Sequence, residues 1–219
     1  MKKAVAPFRF FTRLTLRFLG HERAKTPAEL LSHLKSVKES SIYQHTHRFL
    51  ESHQFLVPEP SNDFAYWADA LLGHKPLSAA LDAVDALRFS SLEDLRGALV
   101  RAVEPFASEG AGTTEEKAFR FLSARRWSVP TPHAASNFSE MAECLRRVGV
   151  ASLYLHVFEA RLRLPPGEND FSVWLAREWG ATDLARECRA ESLTFKTLED
   201  VRKELIRLFE GARGKHEKA

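Results

Sequence analysis

Cysteine is scarce in this chain of 219 residues: Cys144 and Cys188 are the only two, and they form no Cys-x-x-Cys spacing. That excludes a disulfide framework and a zinc clip, and leaves two ordinary buried thiols suited to a reducing compartment. Glycine-rich phosphate loops are missing too. Neither Gly-x-Gly-x-x-Gly nor a Walker-type loop occurs, and neither Gly-x-Ser-x-Gly nor His-Glu-x-x-His is found. The usual sequence support for nucleotide binding and for common hydrolase chemistries is therefore absent. No run approaches the roughly 18 apolar residues of a membrane span. Met1-Lys2-Lys3 imitates the start of a secretion signal, but Arg9, Arg13 and Arg17 interrupt the apolar stretch that should follow. An excess of one charge is also lacking: 32 basic residues are interspersed with 29 acidic ones, a formal net charge of +3, which does not call for nucleic acid. These absences together lead to the expectation of a soluble cytoplasmic protein with no membrane partner.

What is present is core material. Hydrophobic residues make up 44% of the chain and 16 are phenylalanine, enough for one large or two small domains without staples. They are arranged as a tandem internal duplication. Adding 111 to the numbering carries Phe8-Arg9-Phe10 onto Phe119-Arg120-Phe121, Glu29 onto Glu140, Leu34 onto Leu145, and Ser41, Tyr43 and His45 onto Ser152, Tyr154 and His156. A four-residue deletion changes the offset to 107, where Asn62-Asp63-Phe64 and Trp67 meet Asn169-Asp170-Phe171 and Trp174. One further deletion aligns Phe89 with Phe195 and Arg96 with Arg202. The expected organisation is repeat unit 1 over 7–104, a Gly, Ser, Thr and Glu-rich linker over 105–117, repeat unit 2 over 118–210, and a disordered basic tail over 211–219.

Each copy opens with a period-two segment. Phe8, Phe10, Thr12, Leu14, Leu16 and Phe18 alternate with arginines and other residues, which predicts a long strand with one face on a core. Helices follow. Thr26-x-x-Glu29 and Asn137-x-x-Glu140 predict N-caps, and Ile42, Thr46, Phe49 and Leu50 predict a helix over 41–53. A third helix over 63–72 is stopped by Gly73, and a shorter one covers 77–84. An extended piece over 86–89, echoed at 191–195, precedes a last helix entered through Ser91-x-x-Asp94 or Thr197-x-x-Asp200. The fold class is helix-dominated α+β. A strand must pair to satisfy its backbone, either with the extended piece of its own copy or with the strand of the other copy, and the second option would give a pseudo-twofold arrangement.

The polar residues retained in both copies are Tyr43/Tyr154, His45/His156 and Asn62-Asp63/Asn169-Asp170. A metal site would combine His45, His47 and Asp63, or His156, Glu159 and Asp170, because imidazole with carboxylate suits zinc, iron or manganese; that would point to a metal-dependent hydrolase. Residues two apart on a helix do not face each other, and Phe158 stands where His47 stands in the other copy, so neither ligand set is shared. Against metal chemistry stands a simpler role, partly buried helix histidines satisfied by hydrogen bonds. Asn62 and Asn169 suit N-caps, with Asp63 and Asp170 in the first turn favouring the helix dipole. Trp67 and Trp174 suit a core, or the wall of a pocket. Arg9, Arg13 and Arg17 lie on one strand face, expected to be solvated, although they offer a site for phosphate or acidic partners.

The strings Pro7-Phe8-Arg9-Phe10-Phe11-Thr12-Arg13, 41–50 (Ser-Ile-Tyr-Gln-His-Thr-His-Arg-Phe-Leu), Asn62-Asp63-Phe64-Ala65-Tyr66-Trp67 and Phe158-Glu159-Ala160-Arg161-Leu162 resemble an uncharacterised prokaryotic family catalogued only as a domain of unknown function. The resemblance covers nearly the whole chain and implies no activity. Duplication kept caps and aromatics while possible ligands drifted. The sequence therefore favours a non-enzymatic cytoplasmic interaction or regulatory protein with a protein partner, a duplicated binding surface and no cofactor. A metal-dependent hydrolase is the alternative and nucleic-acid binding the third.

Overall fold

The two period-two segments form strands, and they pair with each other. In the computed structural model, which describes residues 3–53, 60–189 and 197–216, with side chains as far as 213, β1 runs Phe8–Ala24 and β2 runs Phe119–Ala135 as neighbours in a two-stranded antiparallel sheet. Thr131 donates its hydroxyl to the Phe10 carbonyl at 2.9 Å. Gly20 lies so close to β2 that a Cβ would sit 2.8 Å from the Phe121 carbonyl oxygen, a contact real side chains do not make. Both strands of such a ribbon are edges, which is where Pro130 and Pro132 of β2 can be accommodated.

The chain divides into two compact units, and each contains part of both strands. The His45 unit takes Thr15–His53 and the described residues from 60 to Arg126. Its helices are α1 (Pro27–Ser36), α2 (Glu39–His45), α3 (His47–His53), α4 (Asp63–Ala70), α5 (Lys75–Asp82) and α6 (Leu92–Val103). The His156 unit takes the described residues up to Leu14 and those from Trp127 onward. It contains α7 (Phe138–Arg147), α8 (Val150–Val157), α9 (Asp170–Trp174), α10 (Thr182–Glu187) and α11 (Leu198–His216). Within them α1 packs on α6, α4 on α5, and α7 on α11. The compact units thus differ from the sequence copies: Phe8 and Phe10 are buried in the unit that holds α7 to α11, and Phe119 and Phe121 in the one that holds α1 to α6.

Local chemistry sets the helix ends as expected. Thr26 accepts from the Glu29 N–H, Asn137 from Glu140, Ser91 from Asp94 and Thr197 from Asp200. Glu29 and Glu140 reach back to the Lys25 and Ser136 N–H groups, so both sides of the N-terminal turn are tied. Arg96 closes the far end of α1 by donating to the Leu34 carbonyl at 2.7 Å, and Arg202 donates to the Val148 carbonyl at 2.7 Å just past α7. Asn62 and Asn169 do more than cap. Each accepts from the N–H three residues on and donates its amide to a carbonyl at the end of the next helix, Leu81 or Cys188.

Four expectations change. The apolar face of β1 is buried only at Phe8 and Phe10; Leu14, Leu16 and Phe18 are exposed. Seventeen residues of strand span about 55 Å, more length than one small helical layer covers. The helix expected over 41–53 breaks at Thr46, whose hydroxyl takes the Ile42 carbonyl at 2.7 Å and draws the chain out of the ladder. The piece over 86–89 is a 3-10 turn, Ala86–Arg88, entered through the Asp85 side chain, so no strand is available to pair β1 locally; its echo at 191–195 lies outside the described residues. Residues 211–216 of the expected tail continue α11, while 217–219 lie outside the described residues.

Because Asn62 both caps α4 and holds the Leu81 carbonyl, Asn62→Asp should destabilise almost as much as Asn62→Ala, by about 2 kcal/mol, although Asp is an equally good N-cap. Urea unfolding of the two variants against wild type measures this. An aspartate variant as stable as wild type would reduce Asn62 to a simple cap.

Candidate functional site

The geometry joins His45 to Asp63 and His156 to Asp170. In the His156 unit, the imidazole Nδ1 lies 2.6 Å from Asp170 Oδ2, and Nε2 lies 2.9 Å from the backbone nitrogen of Phe11 on β1. In the His45 unit, Nδ1 lies 2.8 Å from Asp63 Oδ2, and Nε2 lies 2.9 Å from the backbone nitrogen of Leu122 on β2. A peptide nitrogen can only donate, so Nε2 is the acceptor and the ring proton sits on Nδ1, directed at the carboxylate. Both nitrogens are therefore committed. Each ring is nearly fully buried and sits edge-on to strand phenylalanines, Phe8 and Phe10 around His156, and Phe119 and Phe121 around His45.

This arrangement answers the question of the unpaired strand edge. Phe11 and Leu122 present N–H groups to the side away from the sheet, and the histidine supplies the acceptor that a third strand would have supplied. The tryptophans do the reciprocal work. Trp174 donates its indole N–H to the Ala6 carbonyl at 3.0 Å, and Trp67 donates to the Lys117 carbonyl at 2.8 Å. Each strand is thus held at its entry by an indole and further along by an imidazole.

Tyr43 and Tyr154 are buried in the core. His47 lies on Tyr43, ring centroids 5.6 Å apart and nearly parallel, and Phe158 lies on Tyr154 at the same 5.6 Å. An aromatic ring four residues on is what the two positions share, which explains why phenylalanine replaces histidine there. Glu159 is not beside the His156–Asp170 pair through any metal geometry; it takes Arg13 in a buried two-oxygen ion pair, with Arg13 Nη2 2.7 Å from Glu159 Oε1. Arg13 thereby leaves the solvated strand face expected of it. Among the described residues no group of three His, Cys, Asp or Glu is arranged to hold a metal, and His45 and His156 have no lone pair to spare.

Asp170 has a second partner, and this one is a cation. Burial works against its ionisation, but hydrogen bonds from His156 and the Arg163 guanidinium outweigh it and hold the carboxyl below its ordinary range. Arg163 lies on both oxygens, 2.8 Å from Oδ1. Asp63 has no arginine in this position, and the histidine is its partner. Cys144 and Cys188 are free and buried, and burial pushes both thiols up, away from nucleophilic use.

A cleft of ≈ 460 Å³ opens beside the His156–Asp170 pair, lined by Ala6–Phe8, Arg9, Phe11, Trp174, Arg177 and Glu178 among others. Arg163, Arg177 and Glu178 were not candidates from the sequence, since they have no counterpart around His45 and match no motif. The one available signal was the spacing of Arg177 and Glu178, three and four residues after Trp174, one helical turn on.

A family model described as "Family of unknown function (DUF5752)" matches residues 5–210. A solved structure, OrfY from Thermoproteus tenax, is similar over 97% of this chain and 98% of its own, with 26% sequence identity and a TM-score of 0.80. Among curated proteins no match was found.

Asp170 contributes stability as an ionised group. A carboxyl held below its unfolded value, about 3.9, contributes its full stabilisation above that value and loses it as the pH falls from there through the lower folded value. Asp170→Asn should therefore destabilise at pH 7, and the gap to wild type should close as the pH falls below the carboxylate range. Urea unfolding at several pH values reads it; a constant gap would show that the charge of Asp170 is not what stabilises.

Proposed function

The chain belongs to the DUF5752 family, and from that premise we propose that it is a non-enzymatic cytoplasmic interaction or regulatory protein built by duplication, with a binding surface in each copy. The observation that carries this is the commitment of both nitrogens of His45 and of His156. A general base must expose a free nitrogen to substrate and a metal ligand must offer a lone pair. These rings offer neither, because they complete the hydrogen bonding of β1 and β2. His45, Asp63, His156 and Asp170 therefore serve a scaffold in this reading.

What the scaffold displays supports an interaction role. In the His156 unit, Leu14, Trp127 and Val129 are exposed on the strands; in the His45 unit, Leu16, Phe18 and Leu19 are. Large apolar side chains clustered on an open strand are a hazard unless something covers them. A protein partner meeting each strand surface would bury them. The two free thiols suit a reducing compartment, which is the basis for placing the protein in the cytoplasm.

A photoreactive phenylalanine analogue placed at Leu16 or at Trp127 in cells should give a discrete protein adduct, while the same group at exposed Lys75 should not. Equal or absent adducts at all three positions would remove the interaction role. Turnover of a substrate that is abolished by His156→Ala, with the fold retained by circular dichroism, would make the protein an enzyme instead.

A further inference from the structure

We propose that the cleft of the His156 unit is a binding site for a small organic anion with a planar apolar body, an aromatic carboxylate or phosphate monoester. Its ≈ 460 Å³ is within the range of small-molecule sites, roughly 300–1,000 Å³. The floor is aromatic and apolar, from Pro7, Phe8, Val173 and Trp174. Trp174 is fixed by its indole bond to Ala6 and by ring contacts with Phe8, Phe138 and Trp179, so the apolar wall it contributes is rigid.

The charge at the cleft is not balanced. Three arginines, Arg9, Arg163 and Arg177, line it together with two carboxylates, Asp170 and Glu178. Both carboxylates have other work. Asp170 takes His156 and Arg163, and Glu178 Oε2 accepts the Ala6 N–H at 2.9 Å while Arg177 stands 3.6 Å from the other oxygen. Arg9 has no carboxylate partner among the described residues. The surplus is one guanidinium, Arg9, at a cleft that Arg177 also lines, and guanidinium is the group best shaped for carboxylate or phosphate.

The His45 unit shows that Arg177 and Glu178 are not needed by the scaffold. It has the same imidazole and indole ties, from His45 and Trp67. Three and four residues after Trp67 stand Ala70 and Leu71, where three and four residues after Trp174 stand Arg177 and Glu178. The chain around Arg177 is also drawn into a π-helical turn, Leu175–Trp179, a local geometry that concentrates at functional sites. A scaffold requirement would have appeared twice; Arg177 and Glu178 have no counterpart at Ala70 and Leu71, whereas Arg9 has one in Arg120.

The residues that line the cleft are not the exposed apolar ones of the strand surfaces proposed above, and the experiment separates the two. Purified full-length protein is titrated by calorimetry with phenyl phosphate and with benzoate, and in parallel with inorganic phosphate and benzyl alcohol, which carry only the charge or only the ring. Saturable binding of at least one aromatic anion, stronger than both half-probes, is expected, and the preferred anion tells phosphate from carboxylate. Arg9→Ala combined with Arg177→Ala should weaken it about tenfold, with an unchanged circular dichroism spectrum, while Leu14→Glu should leave it intact. Failure of both aromatic anions to bind at millimolar concentration overturns the proposal, and so does binding that the double variant does not weaken.

Discussion

The structure depends on a hydrogen bond between a strand peptide and a histidine ring. A two-stranded antiparallel sheet satisfies one side of each strand and leaves the other open, and a peptide N–H buried without an acceptor costs about 1–3 kcal/mol. His156 takes the Phe11 N–H and His45 takes the Leu122 N–H, each at 2.9 Å. The aspartate behind each ring keeps the proton on Nδ1, so that Nε2 stays an acceptor. Without Asp63 or Asp170 the ring would be free to adopt the other tautomer, which turns a donor toward a donor. The carboxylates therefore matter to the fold through a hydrogen bond they do not make directly with the strand.

Packing follows from this tie. With the strand edge held against α8 or α2, Phe8 and Phe10 are set against Phe171, and Phe119 and Phe121 against Phe64. Burying a phenylalanine contributes about 1.5–3 kcal/mol, so each cluster is worth several times the hydrogen bond that positions it. The bond supplies register and the rings supply most of the stabilisation. Each unit then fixes the neighbouring stretch of strand by a different device: a buried Arg13–Glu159 ion pair in one, and the Arg126 guanidinium 3.6 Å above the Tyr43 ring in the other.

Features that act over a few residues were legible in the sequence. Thr26, Ser91, Asn137 and Thr197 cap helices by bonding three residues on, and Gly73 and Gly180 adopt the positive φ that a helix end needs. Fold class and the retained aromatic and polar pairs could be read for the same reason. The histidine contacts could not. His156 reaches back 145 residues and His45 reaches forward 77, and no local pattern encodes either. Periodicity also misjudged β1, because alternation reports which residues share a face but not whether anything lies over them. The charged rim of the cleft is illegible for the opposite reason: Arg177 and Glu178 match no motif and have no counterpart at Ala70 and Leu71.

Tautomer assignment by long-range ¹⁵N–¹H correlation of the histidine rings at neutral pH addresses the central claim most directly. The account predicts that His45 and His156 carry the proton on Nδ1, with Nε2 showing the shift of a hydrogen-bonded acceptor. A proton found on Nε2 of either ring would contradict it, since that nitrogen could not then receive the strand N–H, and the ring would be available for chemistry after all.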